Sequence, residues 1–270
     1  MSVLLCVVDG RVDGITQLHG IVYIVCYGSS SIIRFDAVTR QRLTDISVKG
    51  SYPWDIAACE HTSSVYVCEW MAACVWRVSS GGEDVKLWLQ WSSPDTFSPY
   101  TLSVTSSRLL VTSQYPAKQL RQFDAVGDEL RRVDLPDDMT PEHAVESATG
   151  TFIVSCENTQ LKQFHVSEVN TGGQVLRQFS GSRLIPLGYT DHIAVDSQGN
   201  IFVADGGTGR ILLLDSQLTL RRVIIDERQL NYKRPWRLCY SEHSGQLLVG
   251  FYKDTDVAVF DVLRRLMKCL

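Results

Sequence analysis

Six histidines are spread along the 270-residue chain, at positions 19, 61, 143, 165, 192 and 243. Two of them stand in matched surroundings, Pro141-Glu142-His143 and Thr190-Asp191-His192, each an imidazole preceded by a carboxylate. Two imidazoles and a carboxylate from Asp191, Glu142 or Asp55 make a donor set for a transition metal, provided that the fold brings them together. Three more tripeptides share the leading Pro: Pro53-Trp54-Asp55, Pro99-Tyr100-Thr101 and Pro235-Trp236-Arg237. Their Trp, Tyr and Arg side chains are the types that most often anchor interfaces. Other chemistry is poorly served. None of the eight cysteines forms a pair with the two-residue gap of a zinc knuckle or a redox motif, and most lie in apolar runs, so they read as small buried hydrophobes. Asp205-Gly206-Gly207-Thr208-Gly209 is glycine-rich, but a hairpin follows it, so the helix N-terminus that would hold a phosphate is missing. Nothing resembles a nucleophile elbow.

The elements that must position these residues repeat. Thr190 to Asp226 contains four short apolar runs separated by Asp, Gly, Asn and Ser, which reads as an antiparallel meander of four strands. The same unit starts at positions 12, 53, 99, 141, 190 and 235. Second strands align as VYIVC, VYVCE, LLVTS, FIVSC, IFVAD and LLVGF. Third strands end at Phe35-Asp36, Phe123-Asp124, Leu214-Asp215 and Phe260-Asp261, with Val78-Ser79 and Phe164-His165 as variants. Six four-stranded units with a period of about 45 residues predict an all-β, six-bladed β-propeller. The expected blades run over 12–52, 53–98, 99–140, 141–189, 190–234 and 235–270, in one propeller spanning 1–270. Two segments compete for the ring-closing strand, residues 2–8 and the stretch from Arg264 to Leu270.

The segment IAVDSQGNIFVADGGTGRILLLD closely resembles the NHL repeat, the propeller blade found in tripartite-motif ubiquitin ligases. The match is strong in the fifth unit and looser in the others. It implies a non-catalytic propeller that recognises a protein partner through its top face, and a role in choosing substrates for ubiquitination by a fused or partner ligase. The ligases' zinc modules and coiled coil have no counterpart here. The top face is where first strands start and second-to-third loops return. Its candidate binding residues are Tyr27, Trp54, Trp70, Tyr100, Tyr115, His143, His192, Arg210, Trp236, Arg237 and Tyr252. Trp54 and Trp236 also fit a purely architectural role as wedges between blades. Two other functions stay open. Some NHL propellers bind single-stranded RNA on this face. The related amidating lyase and the gluconolactonase-like propellers hold a metal at the channel, and His143 and His192 share one column here. No complete catalytic or metal constellation is legible, so no enzyme activity and no cofactor are expected.

Composition bounds the rest. The net charge is −4, which disfavours bulk electrostatic binding of nucleic acid. The column residues of the top face carry more carboxylates than cations, while Arg131-Arg132, Arg221-Arg222 and Arg264-Arg265 fall on outer strands. There they read as protection against edge-to-edge pairing. No apolar run approaches the roughly 20 residues of a membrane span, and Val3 to Val8 is too short for a signal-peptide core. A cytoplasmic setting is the expectation.

Overall fold

The computed structural model describes residues 2–48, 52–69, 71–93 and 97–262. They form a six-bladed β-propeller of four-stranded antiparallel sheets, with no helix among the described residues. Strand β1 (Ser2–Val7) stands apart from its neighbours in sequence. Blade 1 is β2 (Val12–Leu18), β3 (Ile21–Cys26), β4 (Ser31–Asp36) and β5 (Arg42–Ser47); blade 2 is β6 (Asp55–Cys59), β7 (Ser64–Glu69), β8 (Cys74–Ser79) and β9 (Val85–Gln90). Blade 3 is β10 (Thr101–Thr105), β11 (Arg108–Ser113), β12 (Gln119–Phe123) and β13 (Glu129–Asp134); blade 4 is β14 (Met139–Glu146), β15 (Phe152–Asn158), β16 (Gln163–Val169) and β17 (Val175–Phe179). Blade 5 is β18 (Thr190–Val195), β19 (Ile201–Asp205), β20 (Arg210–Leu214) and β21 (Leu220–Ile225). Blade 6 is β22 (Pro235–Ser241), β23 (Gln246–Phe251) and β24 (Asp256–Asp261), completed by β1 on the outside.

The two candidates for ring closure are thereby separated. β1 pairs antiparallel with β24, from Ser2 opposite Phe260 to Val7 opposite Asp256. The rival stretch from Arg264 to Leu270 lies outside the described residues, as does Trp70.

Burial explains the composition of the strands. β3, β7 and β19 are apolar almost throughout because both faces of each blade are covered by neighbouring blades. The outer strands β5, β9, β13 and β17 alternate or are open to water. Arg131, Arg132, Arg221 and Arg222 sit on such outer strands. The apolar core is accordingly divided into clusters between successive blades. Phe202, Ile211 and Leu213 of blade 5 pack on Leu238, Leu247 and Phe251 of blade 6, for example. Leu5, Cys6 and Val8 join Val12, Ile24 and Phe35 across the seam between blades 6 and 1. Among the described residues the cysteines are free thiols; six are buried and Cys239 is half-buried. No helix among them is long and apolar enough to cross a membrane.

The Asp at the end of the third strand has a local cause. Asp215 Oδ1 accepts hydrogen bonds from Gln217 N (2.9 Å) and Thr219 N (2.8 Å), which folds the hairpin into the fourth strand. Asp36 does the same with Val38 N and Thr39 N, and Asp124 with Val126 N, Gly127 N and Asp128 N. These amides stabilise the ionised form and hold both carboxyls below the ordinary Asp range. In blade 4 the equivalent is Asn170, whose Oδ1 accepts from Gly172 N and Gln174 N. The sequence alignment on Phe164-His165 is therefore displaced: that pair lies early in β16, and the strand runs on to Val169.

Candidate functional site at the channel mouth

The innermost strands β2, β6, β10, β14, β18 and β22 contact one another around the ring. Each enters through the same irregularity. In β14, Pro141 pairs with Cys156 and His143 with Ser155, so Glu142 is an extra residue. Asp13, Asp191 and Trp236 are extra in the same way. In blades 2 and 3 the amides of Trp54 and Tyr100 bond the carbonyls of Cys68 and Thr112, the residues already paired with Asp55 and Thr101. Such a bulge re-aims side chains at the end of a strand. Repeated in every blade, it sets two tiers at the channel mouth. Asp13, Trp54, Tyr100, Glu142, Asp191 and Trp236 occupy the bulged positions, and Gly14, Asp55, Thr101, His143, His192 and Arg237 follow them.

The second tier is buried. Asp55 is 1% exposed, His143 2%, His192 7% and Arg237 1%. The sequence places His143, His192 and Arg237 on the binding face itself; the structure puts them beneath it, because the bulge turns them into the channel. Gly14 lets the innermost strands of blades 1 and 2 approach closely. A Cβ on Gly14 would lie 2.9 Å from Asp55 Oδ1 and 2.9 Å from Ile56 N, so no side chain fits there. The Arg237 Nε donates to the Asp13 carbonyl and lies 4.0 Å from Asp55 Oδ1.

Electrostatics follow from burial. Asp55 Oδ2 accepts from Leu102 N at 2.8 Å, yet desolvation raises its pKa to about 6 despite the nearby Arg237. Burial lifts Asp191 to about 6 as well, and burial with the neighbouring Asp191 lifts Glu142 to about 7. Tyr100 OH donates to Glu142 Oε2 at 3.4 Å. Burial pushes His143 down to about 3 and His192 well below its ordinary value, so both imidazoles are neutral at pH 7. They stack with centroids 3.7 Å apart at 23°. His143 Nε2–H donates to the Leu102 carbonyl (3.2 Å), which leaves Nδ1 as an acceptor. Asp13 Oδ2, Asp55 Oδ1, His143 Nδ1, His192 Nδ1 and Arg237 Nη2 are all buried without a hydrogen-bond partner. This group of perturbed, unsatisfied side chains makes the channel mouth the candidate functional site.

Asp55, His143 and His192 also place one ligand atom each within 4.8 Å of one another. The donor types suit a transition metal. The arrangement does not. Nearly parallel rings direct their in-plane lone pairs side by side rather than to one point, and Arg237 keeps positive charge beside Asp55.

Aromatic side chains line the upper tier. Trp54 lies 5.7 Å from Tyr100 and packs on the cluster between blades 2 and 3, so it serves both mouth and core. Trp236 lies 5.1 Å from Tyr252 and under the Arg237 guanidinium at 4.5 Å. Tyr27 is 66% exposed. Of the sequence-derived candidates, Tyr27, Trp54, Tyr100, His143, His192, Trp236, Arg237 and Tyr252 thus gather at one opening. Tyr115 is exposed, and its carbonyl accepts hydrogen bonds from Ser98 N and Ser113 Oγ. Arg210 is held by its own loop, bonding Thr208 Oγ1 and the Pro186 carbonyl and pairing with Asp205. One member of the mouth escaped sequence reasoning. Arg11 stands one residue before the first unit, as Arg234 does before the sixth, with Tyr27 N on its carbonyl as Tyr252 N is on that of Arg234; the position lies outside the two columns of candidate residues.

No family model matches the chain, and no curated protein matches it. Solved structures do. A gluconolactonase from Xanthomonas campestris superposes with a TM-score of 0.71 at 12% identity, covering 96% of this chain and 88% of that one. A virginiamycin B lyase from Staphylococcus aureus gives 0.68 at 12%, covering 96% and 97%. A chain of a nidogen/laminin complex gives 0.65 at 13%, covering 84% of each. At such identities the likeness establishes the six-bladed propeller and carries no activity across.

Proposed function

We propose that this chain is a binding propeller that recognises a protein partner through the mouth of its channel. The observation that carries the reading is the two-tier mouth: a buried polar layer under Trp54, Tyr100, Trp236, Tyr252 and Tyr27. Such a surface spreads contact over aromatic anchors around a polar centre. The superposition on a chain from a nidogen/laminin complex supports the use of this architecture for protein recognition. Single-stranded RNA is less well suited. Asp13, Asp55, Glu142 and Asp191 face Arg11 and Arg237 at the mouth, so phosphates would meet more carboxylates than cations. Substrate choice for ubiquitination, as the NHL resemblance implies, is one use of such a mouth and gains no separate support from its geometry.

The test is affinity capture from lysate, with and without nuclease, using the wild type and a Tyr27→Ala/Tyr252→Ala variant. Both side chains stand at the rim, so the variant should melt within about 3 °C of the wild type, as surface changes do. A captured protein that survives nuclease and is lost with the variant is expected. Capture that ignores both substitutions, or that vanishes with nuclease, would overturn the reading.

A second reading, metal-dependent chemistry at the mouth, is favoured by the approach of Asp55, His143 and His192 and by the lyase and lactonase among the fold's relatives. Because the imidazoles are stacked and Arg237 adjoins them, stoichiometric zinc should leave the melting temperature unchanged. A zinc-dependent rise that is abolished by His192→Ala would restore the metal reading.

A further inference from the structure

Arg11 occupies the aromatic rim from within. It lies in the connection between β1 and β2, where Val8 N bonds the Thr255 carbonyl and Tyr27 N bonds the Arg11 carbonyl. Its guanidinium carbon sits 4.7 Å from the Tyr27 ring centroid, 5.4 Å from Trp54 and 5.9 Å from Trp236. These are cation–π distances to three rings from three different blades. Beneath them, Arg11 Nε donates to Asp13 Oδ1 at 2.6 Å. The rim is therefore a cage already built around a guanidinium.

The cage is not fully used by its occupant. Asp13 is 0% exposed, and its Oδ2 has no partner, so the carboxylate is engaged on one oxygen only. A guanidinium presents a fork of donors that matches both oxygens of a carboxylate. Arg11 reaches Asp13 from two residues away along the same chain, which supplies one prong. A guanidinium of another chain that takes the place of Arg11, whose side chain is part-exposed, is free of that tether. Asp191 and Glu142, at the bulged positions of blades 5 and 4 on the far side of the ring, add acidic groups to the same mouth, which favours a cation over an anion.

We infer that the channel mouth is a receptor for an arginine side chain of the partner, and that Arg11 is an internal stand-in that the incoming arginine displaces. This deepens the proposed partner-binding role and rests on it. The recognised feature is a planar guanidinium that can stack on Tyr27 and Trp54 and engage Asp13 with two donors. A lysine would keep the charge but lose the stacking and the fork.

The test uses acetyl-arginine methylamide as probe, with acetyl-citrulline methylamide as the neutral isostere and acetyl-lysine methylamide as the other cation. Binding is followed by calorimetry and Trp fluorescence on the wild type, Arg11→Ala, Arg11→Gln and Arg11→Ala/Tyr27→Ala. Removing the stand-in should tighten arginine-probe binding at least tenfold in both single variants. Adding Tyr27→Ala should reverse most of that gain. Citrulline should not bind, and lysine should bind several-fold more weakly than arginine. Equal affinity of wild type and both Arg11 variants for the arginine probe, or equal binding of citrulline, would overturn the inference. So would a large fall in melting temperature in both variants with no gain in binding, since Arg11 would then be only a structural latch. Should the probe fail while Tyr27→Ala/Tyr252→Ala still loses the captured protein, the partner-binding mouth stands and only the arginine chemistry falls.

Discussion

Replacing Arg237 with Met should destabilise the protein by about 3–5 kcal/mol, the usual result of stripping a buried charge of its partner. For a chain of this size that corresponds to a fall in melting temperature of roughly 10 °C. Asp55 is 1% exposed, and Arg237 is the cation that lowers its pKa. The guanidinium also donates to the Asp13 carbonyl across the seam between blades 6 and 1. Met fills much of the volume and replaces neither interaction. The deficit should shrink at low pH. Without Arg237 the Asp55 pKa rises further above about 6, and once the carboxyl is protonated no isolated charge remains to be buried. A second substitution, Asp55→Asn, should recover a large part of the loss, because the Asn carbonyl can still accept from Leu102 N. Thermal unfolding of the single and double variants at pH 5 and pH 8 checks all three statements. A single variant that melts within 3 °C of the wild type would show that the pair contributes little.

Loss of His143 should change the slope of stability against pH. Its folded pKa, about 3, lies below the ordinary 6.5 because burial disfavours the imidazolium. The unfolded chain therefore binds the proton first. The stability linked to this group is present above pH 6.5 and is lost as pH falls towards 3. Between pH 7 and pH 5 one such group accounts for about 2 kcal/mol. His192 acts in the same direction. Asp55, Asp191 and Glu142 act in the opposite one: their folded pKa values are raised to about 6, 6 and 7, so their contribution is present at low pH and lost as pH rises. The wild-type curve is thus a sum of opposed terms, and the difference from His143→Gln isolates one of them. Denaturant titrations at pH 7 and pH 5 should show the variant losing about 2 kcal/mol less than the wild type over that interval. Curves that superpose after a vertical shift would mean that His143 titrates normally in the folded protein.

The repeat made the fold readable because one blade cannot bury its own faces, so the same apolar pattern must recur wherever blades stack. Val22, Val65 and Ile201 stand in equivalent strands for that reason. The hairpin Asp was readable too, since Asp215 and Asp124 fold their own turns without help from the rest of the ring. Blade 4 slipped because Asn170 does the work of that Asp and Phe164-His165 merely resembles its setting. At the site, the columns located both tiers but not their depth. Whether His143 lies on the face or beneath it depends on one extra residue in β14, which is visible only as a pairing register. Arg11 was missed because it stands one residue before the unit start, outside both columns, although Arg234 holds the same position in blade 6.

That closure has a kinetic and mechanical meaning. Five blades are made from consecutive strands and can form as local meanders. The sixth joins residues 2–7 to residues 256–260, the most distant pairing among the described residues. Contacts so remote carry the largest loop-closure entropy and form late. Arg237 reaching Asp13 spans the same divide at the channel. Tyr27 and Trp236, which flank Arg11, also stand on opposite sides of it. The mouth therefore exists only while the ring is clasped, and whatever occupies it rivets the two ends of the chain to each other.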